Sequence, residues 1–179
     1  MEPRVAMTLD QEEMVEKLIE HYGRALMNFA FTYLKDWAQA EDAVQEVLIK
    51  WYQKGSALRE PAALKQWLYR TTANQCKDML RKTGRGFSLI ERLKFHHDQP
   101  VMETPESFLV NRDMQLGVVQ KVLTLPIKYR EVTILFYYEE LTTNDIAALL
   151  KINRSTVKTR LSRARELLKG KLEGGGRDE

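Results

Sequence analysis

Apolar residues return every three or four positions along almost the whole chain, and the strict alternation of a half-buried strand is scarce. That period is the strongest restriction on the fold. It builds helices with one apolar stripe each, and such stripes are buried by packing on one another. The first stretch predicts a helix from about Asp10 to Leu34, with Leu18, Tyr22, Leu26, Phe29 and Tyr33 inward. A second runs from about Trp37 to Gln53, with Ala40, Val44, Val47, Leu48 and Trp51 on one face. Gly55 and Ser56 break the pattern, and Pro61 suits the first turn of a third helix. That helix carries Leu64, Trp67, Leu68, Thr71 and Leu80 to about Lys82, and Gly84 and Gly86 stop it.

The pattern then lapses. Residues 87–105 hold two prolines, the adjacent His96 and His97, and little periodicity, which reads as a linker with at most a helical turn from Leu89 to Phe95. Helical periods resume from about Glu106 to Leu125, from Pro126 to Glu139, from Thr142 to Leu150 and from Asn153 to Leu172. Gly174, Gly175 and Gly176 end the fold in a tail. The expected class is all-α: two small helical domains, 1–86 and 106–172, joined by a flexible linker at 87–105, with a tail at 173–179. A chain of 179 residues has room for two modest cores, each marginally stable by itself.

The most informative stretch is Leu141 to Leu168. Thr142 is placed to cap a short helix, with Asp145 three residues on completing a capping box. Ile146, Ala147 and Leu150 point one way, and Ile152 sits in the turn. Asn153 caps a second helix whose buried face is Val157, Leu161, Ala164 and Leu168. Two helices joined by so tight a turn form a helix-turn-helix, the second able to enter a major groove. Lys151 stands where the turn requires a left-handed residue, usually glycine, at a cost of about 1 kcal/mol.

The net charge of +3 is too small to prove a nucleic-acid partner, so its distribution decides. Between Lys151 and Lys171 lie eight Lys or Arg and one acid, Glu166. A basic helix is often only a solvated face, but this run lies on the helix that the turn would present to DNA. Arg154, Ser155, Lys158, Thr159, Ser162 and Arg163 are the expected base-facing residues, since Arg and Lys suit guanine edges and Ser and Thr suit several bases or phosphates. Arg160, Arg165 and Lys169 lean away from the groove floor and are expected on phosphates.

The N-terminal block carries two faces of opposite sign. Asp36, Glu41, Asp42 and Glu46 precede any basic residue of the second helix, and Asp42, Gln45 and Glu46 share one side of it. Acids in a first turn complement the helix dipole, which explains Asp36 and Glu41 better than Glu46. The alternative is a docking face for a basic partner helix. From Tyr69 to Gly86 five basic residues, Arg70, Lys77, Arg81, Lys82 and Arg85, stand against Asp78, with Trp67, Tyr69 and Asn74 interleaved. Aromatic and amide groups beside a basic stripe suit unstacked single-stranded bases. Trp67 fits better as core. Asn74, on the polar face, is the candidate base reader.

The stretches AEDAVQEVLIKWY (Ala40 to Tyr52) and LKQWLYRTTANQCKDMLRK (Leu64 to Lys82) resemble domain two of bacterial sigma factors. LPIKYREVTILFYYEELTTNDIAALLKINRSTVKTRLSRARELLKGKL (Leu125 to Leu172) resembles their domain four, and the short linker matches the extracytoplasmic-function group. The resemblance implies that Asp42, Gln45 and Glu46 meet a coiled coil of the β′ subunit of core RNA polymerase, with the β flap as a second polymerase contact. It implies that the loop from Gly55 to Ala63 and the helix holding Asn74, Lys77 and Arg81 capture and melt the minus-ten element. The recognition helix, Lys158, Thr159, Ser162 and Arg163 foremost, would read the minus-thirty-five element. The linker would run toward the polymerase active-site channel. An anti-sigma factor, possibly membrane-bound, is the implied inhibitor. Lys151 and Ser162 depart from the family pattern, so base preference is not carried over.

Other classes fit poorly. No catalytic constellation or phosphate-binding glycine loop is present, and His21, Cys76 and the His96–His97 pair lack the spacing of a zinc site. No cofactor or metal is expected. A lone cysteine, no apolar run of membrane-spanning length and no signal peptide point to the cytoplasm. A conventional helix-turn-helix regulator would need a dimer interface or an effector pocket, and an adaptor that binds polymerase without reading DNA would not need the basic recognition helix.

Overall fold

Helix α1 (Leu9–Leu18) opens the first unit and passes through a π-helical turn, Ile19–Gly23, into α2 (Arg24–Leu34). The structure is a computed structural model that describes residues 9–54, 60–82 and 114–173. The single long helix expected from Asp10 to Leu34 is thus three segments. Leu18 and Gly23 are both buried and lie five residues apart, a spacing that the wider π turn brings onto one side. Leu26, Phe29 and Tyr33 are buried as the period requires, and Tyr22 is half-buried.

Helix α2 ends on Lys35, left-handed at φ 55°, whose N–H donates to the Phe31 carbonyl. Asp36 then caps α3 (Trp37–Lys54), accepting from the Gln39 N–H at 2.9 Å. Trp37 stacks on Phe31 with ring centroids 4.2 Å apart. Ala40, Val44, Val47 and Trp51 are buried, and α3 packs mainly on α2. Helix α4 (Pro61–Lys82) adds Leu68, Tyr69, Ala73 and Cys76 to the core. Tyr69 and Phe29 meet edge to face at 5.2 Å.

The chain divides into two compact units, Met1–Leu80 and Arg81–Glu179. In the second, α5 (Met114–Leu123) precedes α6 (Ile127–Tyr137), which Pro126 caps. Helix α6 is buried without interruption from Arg130 to Leu135 and packs on α7 (Thr143–Leu150) and α8 (Arg154–Glu173). Arg130, although charged, is buried because its Nε donates to the Leu125 carbonyl at 3.1 Å. Every regular element among the described residues is helical, and no helix among them is long and apolar enough to cross a membrane. The linker at 87–105, the turn at Leu89–Phe95, His96 and His97, the helix start at Glu106 and the glycine tail lie outside the described residues, as does most of the loop from Gly55 to Ala63.

Candidate nucleic-acid interface

The second unit presents α8 through the α7–α8 turn. Thr142 Oγ1 accepts from the Asp145 N–H at 3.2 Å, and Asp145 Oδ2 accepts from the Thr142 N–H at 3.2 Å and from its hydroxyl at 2.6 Å. This reciprocal box fixes where α7 begins. Lys151 ends α7 at φ 54°, ψ 47°, with its N–H on the Ala147 carbonyl, and the Ile152 N–H reaches the same carbonyl at 3.0 Å. The left-handed residue expected at Lys151 is therefore present, and it redirects the chain within three residues. Ile146 and Leu149 are the buried residues of α7, while Ala147 and Leu150 are only half-buried. Leu149, which the sequence pattern passed over, closes the inner face.

Helix α8 is two-sided. Val157, Leu161 and Ala164 are buried, and Leu168 is half-buried. Arg154, Ser155, Lys158, Thr159, Ser162 and Arg163 are all exposed. Arg154 Nε donates to Thr143 Oγ1 at 3.2 Å, tying the starts of α7 and α8 together. Thr159 donates back to the Ser155 carbonyl at 2.9 Å, leaving its methyl and oxygen at the surface. Arg163 Nη1 donates to Glu166 at 2.7 Å, and that hydrogen bond and charge raise the guanidinium pKa further above its usual range. Arg165 and Lys169 are exposed.

Arg160 is the correction. Expected on phosphate, it is half-buried and donates through Nη1 to Glu131 Oε1 at 3.1 Å. A buried carboxylate on α6 outcompetes solvent for this guanidinium, because Glu131 left alone would be an uncompensated buried charge.

In the first unit, Asp42, Gln45 and Glu46 are exposed on α3, opposite the buried Ala43, Val44 and Val47. Gln45 reaches back to Glu41 at 3.4 Å. Lys50 lies four residues after Glu46, the favourable arrangement for an ion pair. Its ammonium donates instead to Gln75 Oε1 on α4 at 2.6 Å. Among the described residues neither Asp42 nor Glu46 has an ion pair, so the face keeps its negative charge. The Lys50–Gln75 bond links residues 25 apart, and no local pattern signals it.

On α4, Asn74 and Arg81 are exposed and Lys77 is half-buried, with its ammonium 5.8 Å from the centroid of the Tyr33 ring. No described residue hydrogen-bonds the Asn74 side chain. Trp67 is half-buried, and Tyr69 is fully buried, so Tyr69 is core and not a stacking platform. Cys76, one turn beyond Thr72, is also buried. Burial pushes its thiol up to about 12, so it carries almost no thiolate near neutral pH. Among the described residues no group of three or more His, Cys, Asp or Glu is placed to hold a metal.

Two family descriptions match this chain: Sigma-70 region 2 over residues 18–86 and Sigma-70, region 4 over residues 117–168. The extracytoplasmic-function RNA polymerase sigma factor SigW of Bacillus subtilis is 31% identical over 171 residues, covering 91% of this chain and 90% of the relative. The sigma factor RpoE, in its complex with the anti-sigma factor NepR from Bartonella quintana, aligns over 90% of this chain and 98% of its own, with a TM-score of 0.69 and 27% identity. CnrH, in complex with the cytosolic domain of CnrY, aligns at a TM-score of 0.62 and 21% identity over 91% and 90% of the two chains, a likeness of fold.

Proposed function

The chain belongs to the extracytoplasmic-function group of the sigma-70 family of RNA polymerase sigma factors, and from that premise we propose how its surfaces divide promoter recognition. It is a non-enzymatic factor that directs promoter-specific transcription initiation. Asp42, Gln45 and Glu46 dock on a basic helix of the β′ coiled coil of core RNA polymerase, and the second unit takes the β flap. Asn74, Lys77 and Arg81 engage the minus-ten element as it opens. Arg154, Ser155, Lys158, Thr159, Ser162 and Arg163 meet the minus-thirty-five duplex. The functional blocks are 1–86 and 106–172, with 87–105 between them.

The observation that supports this division is the pair of exposed faces of opposite sign: an acidic side of α3 whose Asp42 and Glu46 have no ion pair among the described residues, and a basic side of α8 whose reverse is buried. A phosphate-seeking surface and an anion-bearing docking surface on separate units suit a protein that bridges polymerase and DNA. The partner of the factor's off state is an anti-sigma protein, by likeness to RpoE, whose structure is a complex with the anti-sigma factor NepR. The factor works in the cytoplasm, where its polymerase is.

Purified core RNA polymerase, with and without the full chain, is to be run on fragmented DNA from the source genome. New, discrete start sites sharing two spaced upstream elements are expected. An absence of new starts, with DNA bound equally well without polymerase, would assign the chain to conventional helix-turn-helix regulation.

A further inference from the structure

We propose that Ile49 is the apolar anchor of the α3 docking face, seated against an apolar position of a basic helix in core RNA polymerase; this rests on the assignment of Asp42, Gln45 and Glu46 to that contact. Ile49 is 49% exposed. Single exposed apolar residues are ordinary, so its exposure alone says little. Its position says more. Ile49 lies three, four and seven residues after Glu46, Gln45 and Asp42, which puts all four side chains on one side of α3. The core of the unit is served by the other side, through Val44, Val47 and Trp51.

A β-branched residue is also a poorer helix former than the Lys, Glu or Gln that an exposed helical site ordinarily carries. At position 49, with about half of the side chain in solvent, burial offsets little of that. The neighbouring Lys50 points to Gln75 on α4 and leaves the acids uncompensated. An apolar centre flanked by unpaired charge is the layout of an interface in which a buried anchor supplies affinity and the charged rim supplies orientation. The complementary partner is a helix with Lys or Arg on either side of an apolar residue.

The test measures binding of the full chain to purified core RNA polymerase at about 50 and 300 mM salt, concentrations that differ about twofold or more in screening length. Ile49→Gln is expected to weaken binding about tenfold, by a factor that stays the same at both salts. Ile49→Leu is expected to stay within about twofold of the parent, since volume and apolarity are kept. Ile49→Ala, a better helix former, carries the same expectation as Ile49→Gln and covers any loss of folding in that variant. The paired change of Asp42→Lys and Glu46→Lys is expected to cost more at low salt than at high. Parental binding by the Ile49 variants, beside loss in the lysine pair, overturns the anchor and leaves the acidic contact standing. Parental binding by all of them overturns the acidic contact and the anchor with it. An Ile49→Gln defect that fades in salt as the lysine pair does also overturns the anchor.

Discussion

Arg160 on α8 donates to the Glu131 carboxylate on α6 at 3.1 Å, and the two side chains are 24% and 5% exposed. The pair fastens α8 to α6, whose residues Arg130 to Leu135 are all buried. It is unequal, since Arg160 retains a path to water and Glu131 does not. Arg160→Ala should therefore destabilise the second unit by about 3 kcal/mol or more, and Glu131→Ala by about 1–3 kcal/mol, because a freed guanidinium can turn outward. Urea denaturation of both variants checks the order. Equal and small costs would mean that the pair is solvated.

Lys151 adopts φ 54° with no glycine to relieve it, and Lys35 and Glu140 share that conformation. Lys151→Gly should stabilise the second unit by about 0.5–1 kcal/mol, the relief of Cβ crowding less the extra freedom of glycine in the unfolded chain. A raised urea midpoint at unchanged slope is the expected record. A fall would show that the Lys151 side chain contributes more than its backbone costs.

Local signals made much of this structure legible. The Thr142–Asp145 box is a matter of spacing three, and the left-handed site at Lys151 follows from the shortness of the turn. The burial of Val157, Leu161 and Ala164 follows from the helical period, which also predicts the exposure of all six candidate DNA-facing residues of α8. Long-range partners were not legible. Arg160 and Glu131 are 29 residues apart, and Lys50 and Gln75 are 25 apart, so each depends on which helices meet. The π turn at Ile19–Gly23 was hidden for another reason: one wide turn shifts the apolar stripe without interrupting it.

Cys76 gives a pH prediction. Burial raises its thiol from an ordinary value near 9.0 to about 12 in the folded state. The thiol's contribution to stability is then flat below about pH 9 and falls as pH rises toward 12, because the unfolded chain ionises first. Between about pH 8 and 10 the parent should lose roughly 1.4 kcal/mol more than Cys76→Ala does. Denaturation curves of both proteins at the two pH values decide it, and parallel losses would remove the assignment. The native thiol should also resist thiol reagents until the unit unfolds.

Arg163 is held by Glu166, but both side chains are more than half exposed, so the pair itself adds little stability. Its proposed role is on DNA. Arg163→Ala should cost about 1–3 kcal/mol at the cognate promoter, measured with holoenzyme, and relax preference at one base pair. Uniform weakening across sequences would instead put Arg163 on phosphate. Glu166→Gln removes the only acid of the basic run and should tighten binding to all duplexes while steepening its salt dependence.

Asn74 and Lys77 stand one turn apart on α4 but differ in freedom. Lys77 is half-buried with its ammonium over the Tyr33 ring, whereas Asn74 is exposed and its amide makes no hydrogen bond to any described residue. An amide both donates and accepts, so it can pair with the edge of a base that has left the duplex. A base still stacked offers it far less. Asn74→Ala should therefore slow opening of a duplex promoter by the holoenzyme, and a template already melted across the minus-ten element should recover most of the lost rate. Lys77→Ala acts through charge on the backbone, which both templates share, and should weaken them alike. Equal losses for Asn74→Ala on the two templates would place Asn74 on phosphate as well, and α4 would then attract the strand without reading it.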